Sequence, residues 1–512
     1  MRLGLVHLAV ALGFFALTAI QVDPNRSYHS LLAPWPDAAE YVDFAVNWVE
    51  RGERGIHLAG ETHPSRYPPG YPALLAVANQ LGVPFRWAPL VVNRIFAVFL
   101  LLAVFGILAA RGQPGAGGLA ALLLAVQPSF VVLSRAPLSE IASAACMLAA
   151  AWLLYTGSER ADLRRLALGA FILGLAVNIR VSNALFGGLV LAALYAAPWA
   201  NRLRPAAVAG TAFAVAVLPL ALHNYVAFGA PWRNGYGYWL DSRGAVADAF
   251  DFINIVPQLY MFWAEITQAE SLQSTAGLFG AGSYVAPAFL LLVLFALFAR
   301  RPNPRLFAFL IAGLGGSAVL LFYYFADFRL HFAALVLAVP LVALHVSQRL
   351  QSGPAVVRLP LALLLVAAVL GWPGRRSALE AADMVRTPNL DIHCMECDSV
   401  DAFNRVVGDK PYLALVDMNP PYVHARTTGD RWIAPLDDVH DYRFHKGNFD
   451  YGREQRLRLV ERARAEGREV YVVVWNHILD DMTEDVGPLE ILWENERRVG
   501  VARLKLAQEG PP

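Results

Sequence analysis

The sequence predicts a multi-pass α-helical membrane protein of about eleven spans, followed by a C-terminal α/β domain on the extracytoplasmic side. Three observations carry that expectation. The chain of 512 residues is 57% hydrophobic and only 16% charged, outside the range of an ordinary soluble domain. Apolar runs long enough to cross roughly 30 Å of hydrocarbon recur from Leu3 to Trp372. The arginines are distributed unevenly between the connections. With a formal net charge of +1, bulk electrostatics names no partner, and nothing supports a nucleic-acid role.

The spans are read at 3–22, 89–110, 116–134, 137–156, 165–179, 182–199, 205–227, 284–299, 305–325, 330–347 and 357–373. The first resembles a secretory leader, but Leu17-Thr-Ala19 is a poor small-x-small cleavage site, and removal would leave the remaining orientation unchanged. With Met1 in the cytoplasm, Arg2, Arg111, Arg160, Arg164, Arg165, Arg202, Arg204, Arg300, Arg301, Arg305, Arg349 and Arg358 fall on that side. The short outer connections then keep Arg135, Arg180 and Arg329. This asymmetry is the positive-inside pattern, and it leaves everything after Gly374 outside. The expected domains are a membrane domain over 1–373, including outer loops at 23–88 and 228–283, and an extracytoplasmic domain over 374–512.

Within the first outer loop, Val42, Ala45, Val46 and Val49 recur at helical spacing between Ala38 and Arg51, with Tyr41, Phe44 and Trp48 alongside. That predicts an amphipathic helix in the interface plane. Pro72–Leu81 predicts a second helix, too short to span. The second loop holds Tyr225, Phe228, Trp232, Tyr236, Tyr238 and Trp239, for which interface anchoring is the plainer reading and a platform for sugar or headgroup the sharper one. In the terminal domain, Tyr412–Met418, Val470–Trp475 and Val499–Leu506 read as strands and Tyr451–Gly467 as a charged helix. No phosphate loop or dinucleotide fingerprint accompanies them. Cys146 reads as a packing residue. Cys394 and Cys397 lack a second pair, so a four-ligand zinc site would need distant partners such as His424 or His440, and a local disulfide or a simple structural pair is the favoured reading.

Pro36-Asp37-Ala-Ala-Glu40 has the form of a capping box, with Asp37 capping the helix and Glu40 reaching back. The same direction would suit Asp37 as a general base at the bilayer surface. Arg66 and Tyr67 precede Pro-Pro, so the chain is extended there and no helix starts before Gly70. Arg66 is either a snorkelling side chain or a phosphate contact. Arg329, with Asp327 as one candidate partner, Glu140 near Arg135, and Arg180 all sit at the outer ends of spans, where ionisable groups are costly. Convergence of these guanidiniums would suit an anionic headgroup.

Asp37-Ala-Ala-Glu-Tyr41, Tyr67-Pro-Pro-Gly-Tyr-Pro72, Ser134-Arg-Ala-Pro-Leu-Ser-Glu140, Leu-Ala-Val-Asn-Ile-Arg180, Asn224-Tyr-Val-Ala-Phe-Gly-Ala-Pro-Trp232 and Phe328-Arg-Leu-His331 follow one another in order. Together they resemble the GT-C superfamily of polyprenyl-phosphate-sugar-dependent glycosyltransferases, over roughly 1–350. Similar groups within it are the bacterial relatives of protein O-mannosyltransferases, the lipid A aminoarabinose transferases and the rhizobial core transferases. The resemblance implies an inverting transferase of the bacterial inner (plasma) membrane, with a lipid-linked sugar donor and a glycan, lipid or protein acceptor. It places catalysis on Asp37, with Glu40 sharing the work, because this chain has Asp37-Ala38 where many members have Asp-Glu. Donor phosphate and lipid contacts fall on Arg66, Tyr67, Arg329, Arg180, Glu140 and Arg135. Tyr67 stands where some relatives have lysine, leaving Arg66 as a displaced substitute, and their metal-binding acid has no counterpart, so no obligatory cofactor is expected, with a non-obligatory divalent metal left open. Rival readings are a transporter or flippase, for which the repeated halves are missing, and a non-catalytic scaffold of the same fold.

Overall fold

The computed structural model describes residues 2–20, 36–126, 128–199, 201–236, 251–259, 304–323, 328–352, 356, 395–416, 420–436, 453–474, 488–494 and 500–505. Two compact units emerge. The helical unit comprises Met1–Asp23, Pro89–Leu222 and Val246–Leu390; the sheet unit comprises Pro24–Ala88, His223–Ala245 and Asp391–Pro512.

In the helical unit, Ala88–Ala109, Glu140–Arg160 and Arg329–Gln351 are long and apolar enough to cross a membrane, as is Leu203–Phe228, which continues past the unit's boundary. They match four of the expected spans. Arg2–Leu17, Pro114–Ala125, Val181–Ala196 and Pro304–Leu320 are shorter apolar helices. Two expected spans are broken. The run 116–134 divides into Pro114–Ala125 and Pro128–Leu133, because Pro128 has no N–H to continue the helix. The run 182–199 opens with a 3-10 turn over Val181–Gly187 before the Gly188–Ala196 helix. The expected spans 284–299 and 357–373, and the Cys394/Cys397 pair, lie outside the described residues.

Helices pack closely where the sequence supplies small residues. Gly4 meets the backbone of Pro114 and Gly118 meets that of Gly4, so the first helix lies against Pro114–Ala125. Glu140–Arg160 turns through left-handed Ala161 (φ 48°) into Leu163–Ile179. There the Asp162 carboxylate accepts from the Arg164 and Arg165 N–H groups, a side-chain N-cap.

The sheet unit is built around a mixed five-stranded sheet, with β3 (Tyr412–Val416), β4 (Arg431–Pro435), β5 (Glu469–Val474), β6 (Leu489–Glu494) and β7 (Gly500–Leu504) in the order β4-β3-β5-β7-β6. β4, β3 and β5 run parallel, while β7 is antiparallel to both its neighbours. A separate hairpin, β1 (Ile56–Leu58) and β2 (Glu61–His63), comes from the first outer loop. Ile56 and Leu58 share one core with Leu413, Leu415, Trp432, Leu459 and Val472. The sequence reading attached this loop to the membrane domain; its packing runs to the terminal domain. At the hairpin tip, Gly60 has φ +86°, and an added Cβ would come 2.9 Å from the Trp432 ring, so two constraints demand glycine there.

Candidate active site

The helix Pro36–Arg51 starts with proline at its first position, where a missing N–H costs nothing. Residues 38–46 are buried almost without interruption, including Tyr41, Phe44 and Val46. The half-buried Asp37 lies in the first turn, where the exposed N–H groups favour a carboxylate. The capping-box reading is corrected here: Asp37 is inside the helix, and Glu40 turns to the next segment of the loop. Glu40 Oε2 accepts from Ser65 Oγ at 3.4 Å and from the Arg66 N–H at 3.3 Å, and its Oε1 lies 3.8 Å from the Arg66 guanidinium. Pro-Pro had made this local alternative available, since 66–69 cannot be helical and leaves its N–H groups to side chains.

Glu40 thereby holds the Arg66-Tyr67 turn beside the start of the helix. The Tyr67 ring lies 5.0 Å from Tyr41 and 5.8 Å from Tyr236, and Tyr41 meets Tyr71 edge-on at 5.1 Å. Burial, then the nearby Asp37 carboxylate and Tyr236, push the Tyr67 phenol well above its ordinary range, partly opposed by Arg66. Tyr67 therefore stays an O–H donor at neutral pH. Tyr236 reaches this cluster because Gly235 has no side chain; a Cβ there would collide with Ser65 and Arg66. Asp37, Glu40, Arg66 and Tyr67, four of the expected site residues, are thus brought together, and Tyr236 joins them from the second outer loop. Tyr238 and Trp239 lie outside the described residues.

A second polar cluster lies further along the same helix. Asp43, fully buried, accepts the His57 backbone N–H at 2.8 Å through Oδ2 and shares a hydrogen bond with His424 Nδ1 through Oδ1. The His57 and His424 rings stack at 4.4 Å. Arg51 donates to His57 Nδ1 at 2.9 Å, which makes that nitrogen an acceptor. Arg431 donates to the His424 carbonyl at 3.2 Å and pairs with Glu50 at 3.3 Å. The sequence singled out His424 only as a remote zinc ligand; its partner is 381 residues away and no local pattern announces it.

Burial, then His424, Arg51 and Arg431, push His57 down to about 2. The folded chain therefore refuses a proton that the unfolded chain accepts below about 6.5. The stability contributed by neutral His57 is complete above about pH 6.5 and falls by about 1.4 kcal/mol for each pH unit below it. Asp43, raised by burial, and His424, lowered by burial, Arg431 and Arg51, shift in opposite senses. His57 and the likewise lowered His63 both contribute to the slope. Denaturant midpoints measured from pH 7 to pH 5 should fall for the native protein, and His57→Gln should flatten that fall by one proton.

The helical unit carries its own ionic cluster. Glu140, in the first turn of its helix and almost fully buried, lies 2.6 Å from the Arg180 guanidinium and 3.7 Å from that of Arg329. Arg180 also donates to Ser139 Oγ at 3.3 Å. Its extended backbone ends the Leu163–Ile179 helix and releases the side chain sideways. Asn183 in the next turn donates to Ser143 Oγ at 2.8 Å and to the Ala176 carbonyl at 2.7 Å, tying that turn to the Glu140 helix. Arg329 occupies a 3-10 turn whose His331 bonds Ser317 at 2.5 Å. Arg135 is buried in the loop before Glu140, which Asn93 clamps by donating to the carbonyls of Ala136 and Leu138 at 2.5 and 2.9 Å. Arg180 and Arg329 thus converge on Glu140; Asp327, the partner considered from sequence, lies outside the described residues. Among the described residues, no group of three metal-ligating side chains is assembled.

The model of the dolichyl-phosphate-mannose-protein mannosyltransferase family matches residues 66–223, from the Arg66 turn through the Glu140–Arg180 cluster. Over that segment the chain is similar to this glycosyltransferase family, in line with the resemblance read from its sequence. No curated protein sequence matches it significantly. Solved structures give the fold. ArnT from Cupriavidus metallidurans bound to undecaprenyl phosphate is 14% identical, with a TM-score of 0.59 over 99% of this chain and 99% of that one. The same protein in its apo state gives 13% identity and a TM-score of 0.60, with 97% of each chain covered. The Archaeoglobus fulgidus oligosaccharyltransferase tethered to an acceptor peptide gives 13% identity and a TM-score of 0.51 over 91% of this chain and 68% of that one. The chain therefore has an ArnT-like fold with several apolar helices long enough to cross a membrane.

Proposed function

We propose that this chain is an inverting glycosyltransferase that moves a sugar from a polyprenyl monophosphate carrier to an acceptor hydroxyl at the extracytoplasmic face. Asp37 accepts the acceptor's proton as its oxygen bonds to the anomeric carbon and the bond from that carbon to the phosphate oxygen breaks. The carrier leaves as polyprenyl monophosphate, and one displacement inverts the anomeric centre. Arg66 offers a guanidinium to the developing phosphate charge, Tyr67 offers an O–H, and Glu40 positions both. In the helical unit, Glu140 with Arg180 and Arg329 is an anion-holding cluster suited to a lipid phosphate, with Arg135 adding charge in the preceding loop. No step needs a metal or another cofactor.

The observation that carries this reading is the gathering of Asp37, Arg66 and Tyr67 into one place by a buried glutamate. The undecaprenyl phosphate bound by ArnT, with which this chain shares its fold, supports the choice of carrier. Nucleotide sugars are confined to the cytoplasm, so an outward-facing transferase needs a donor already activated in the membrane. The test is transfer by the purified protein in vesicles holding radiolabelled sugars on polyprenyl monophosphate, with membrane extract as the acceptor source. Release of polyprenyl monophosphate together with label of inverted configuration is expected. A folded protein that releases carrier from no such donor sinks the proposal.

A further inference from the structure

The Asp43–His57–His424 cluster has no part in the chemistry just described, yet all three side chains are fully buried and Asp43 belongs to the helix that carries Asp37. Its burial is costly. His57 Nε2 and His424 Nε2 are enclosed without a hydrogen-bond partner, and an apolar contact between these elements would avoid that desolvation. What a polar contact offers instead is a single register.

The geometry supplies that register. Asp43 is held through both carboxylate oxygens by groups on two different elements, the backbone of β1 and the side chain of His424 in the Pro420–Arg426 helix. Both anchors are themselves fixed. Arg431 holds the His424 carbonyl, Arg426 pairs with Asp401 at 2.6 Å, and Arg51 caps the His57 ring. A helix advances about 1.5 Å and turns about 100° per residue, so two bonds at one position fix both its rise and its rotation. A slip of one residue would carry Asp37 away from Tyr67 and Glu40 away from Ser65. Glu40 and Asp43 are three residues apart and neighbours on one face, so the anchor and the turn-holding carboxylate move together. The charged groups that face the cluster are Arg51 and Glu50 from the same helix and Arg431 from β4.

We propose that Asp43, His57 and His424 are positioning residues, a buried latch through which the terminal part of the chain sets the register of the Asp37 helix for sugar transfer. The inference rests on Asp37 acting as the base. It also gives the terminal domain a role in turnover through His424.

The test uses His424→Asn and His424→Gln in the full-length protein. Both are polar and similar in size, but the asparagine amide sits where Nδ1 was, and the glutamine amide sits where Nε2 was. Two readouts are taken: turnover and KM for the lipid-linked donor per folded molecule, and hydrogen exchange of the amides of residues 37–42. His424→Asn should stay within a few-fold of the native protein in both. His424→Gln should lose about 10²-fold in turnover, the order expected for a misplacement of about 1 Å, with KM little changed and faster exchange at 37–42. When the native protein transfers sugar from the donor, equal turnover in the two variants overturns the positioning role, whether or not exchange differs. If the native protein transfers from no polyprenyl monophosphate donor while exchange still separates the variants, the reaction has been misread and the latch stands. If the native protein is active and neither readout separates the variants, the latch falls alone.

Discussion

Asp37→Asn should lower turnover by about 10²–10⁴-fold, the range over which a positioned general base contributes, while leaving the amount of folded protein unchanged. Asp37 is only half-buried in a first turn, and asparagine keeps its shape and much of its local hydrogen bonding, so no cavity or unpaired buried charge results. KM for the lipid-linked donor should change little, because the substitution removes an interaction made as the acceptor proton leaves. Glu40→Gln makes the informative comparison. Its carboxylate is committed to Ser65 and Arg66, so its loss should act through the geometry of the Arg66-Tyr67 turn and raise KM as well as lower turnover. Equal, purely kcat-directed losses in both variants would instead mean that the two acids share the base role.

The fold was legible in the sequence where physics is local. Length and hydropathy marked 89–110 and 205–227 as spans, close to the helices Ala88–Ala109 and Leu203–Phe228, and the helix expected at Pro72–Leu81 after Pro68-Pro69 runs from Gly70 to Gln80. Local signals failed where two structures share one pattern. Pro36-Asp-Ala-Ala-Glu40 fits a capping box equally well whether Glu40 turns back or reaches Ser65, and only the fold of the next thirty residues decides. β4, Arg431-Trp-Ile-Ala-Pro435, is short and ends in proline, so it carries little strand signal although it is wholly buried. β6 was missed for the opposite reason, since its residues are half-exposed and carry no clear alternation. The site followed the same division. Glu140, Arg180 and Arg329 each drew notice as ions where ions are expensive, but their meeting is tertiary. Asp43 drew none, because an acid within an amphipathic helix ordinarily faces water, and its partner His424 lies hundreds of residues away.

That meeting of ions carries the second large expected effect. Glu140 is 2% exposed, and its partners Arg180 and Arg329 are 17% and 9% exposed, so the cluster is screened too little for its charges to be independent. Two guanidiniums against one carboxylate leave a net positive charge, the complement of a phosphate monoester held by a lipid. Glu140→Gln removes the internal counter-ion, and leaving buried charge uncompensated costs about 3–5 kcal/mol. Thermal unfolding in detergent should show a correspondingly lower midpoint. A double variant, Glu140→Gln with Arg329→Gln, should recover part of that loss, because one of the two cations goes with the anion. Polyprenyl monophosphate should raise the midpoint of Glu140→Gln more than that of the native protein, since the ligand then supplies the negative charge that glutamine lacks. Loss of stability without that larger ligand response would make the cluster a structural ion pair only. In that case the phosphate would have to be met by Arg66, and Arg66→Gln alone should abolish donor binding.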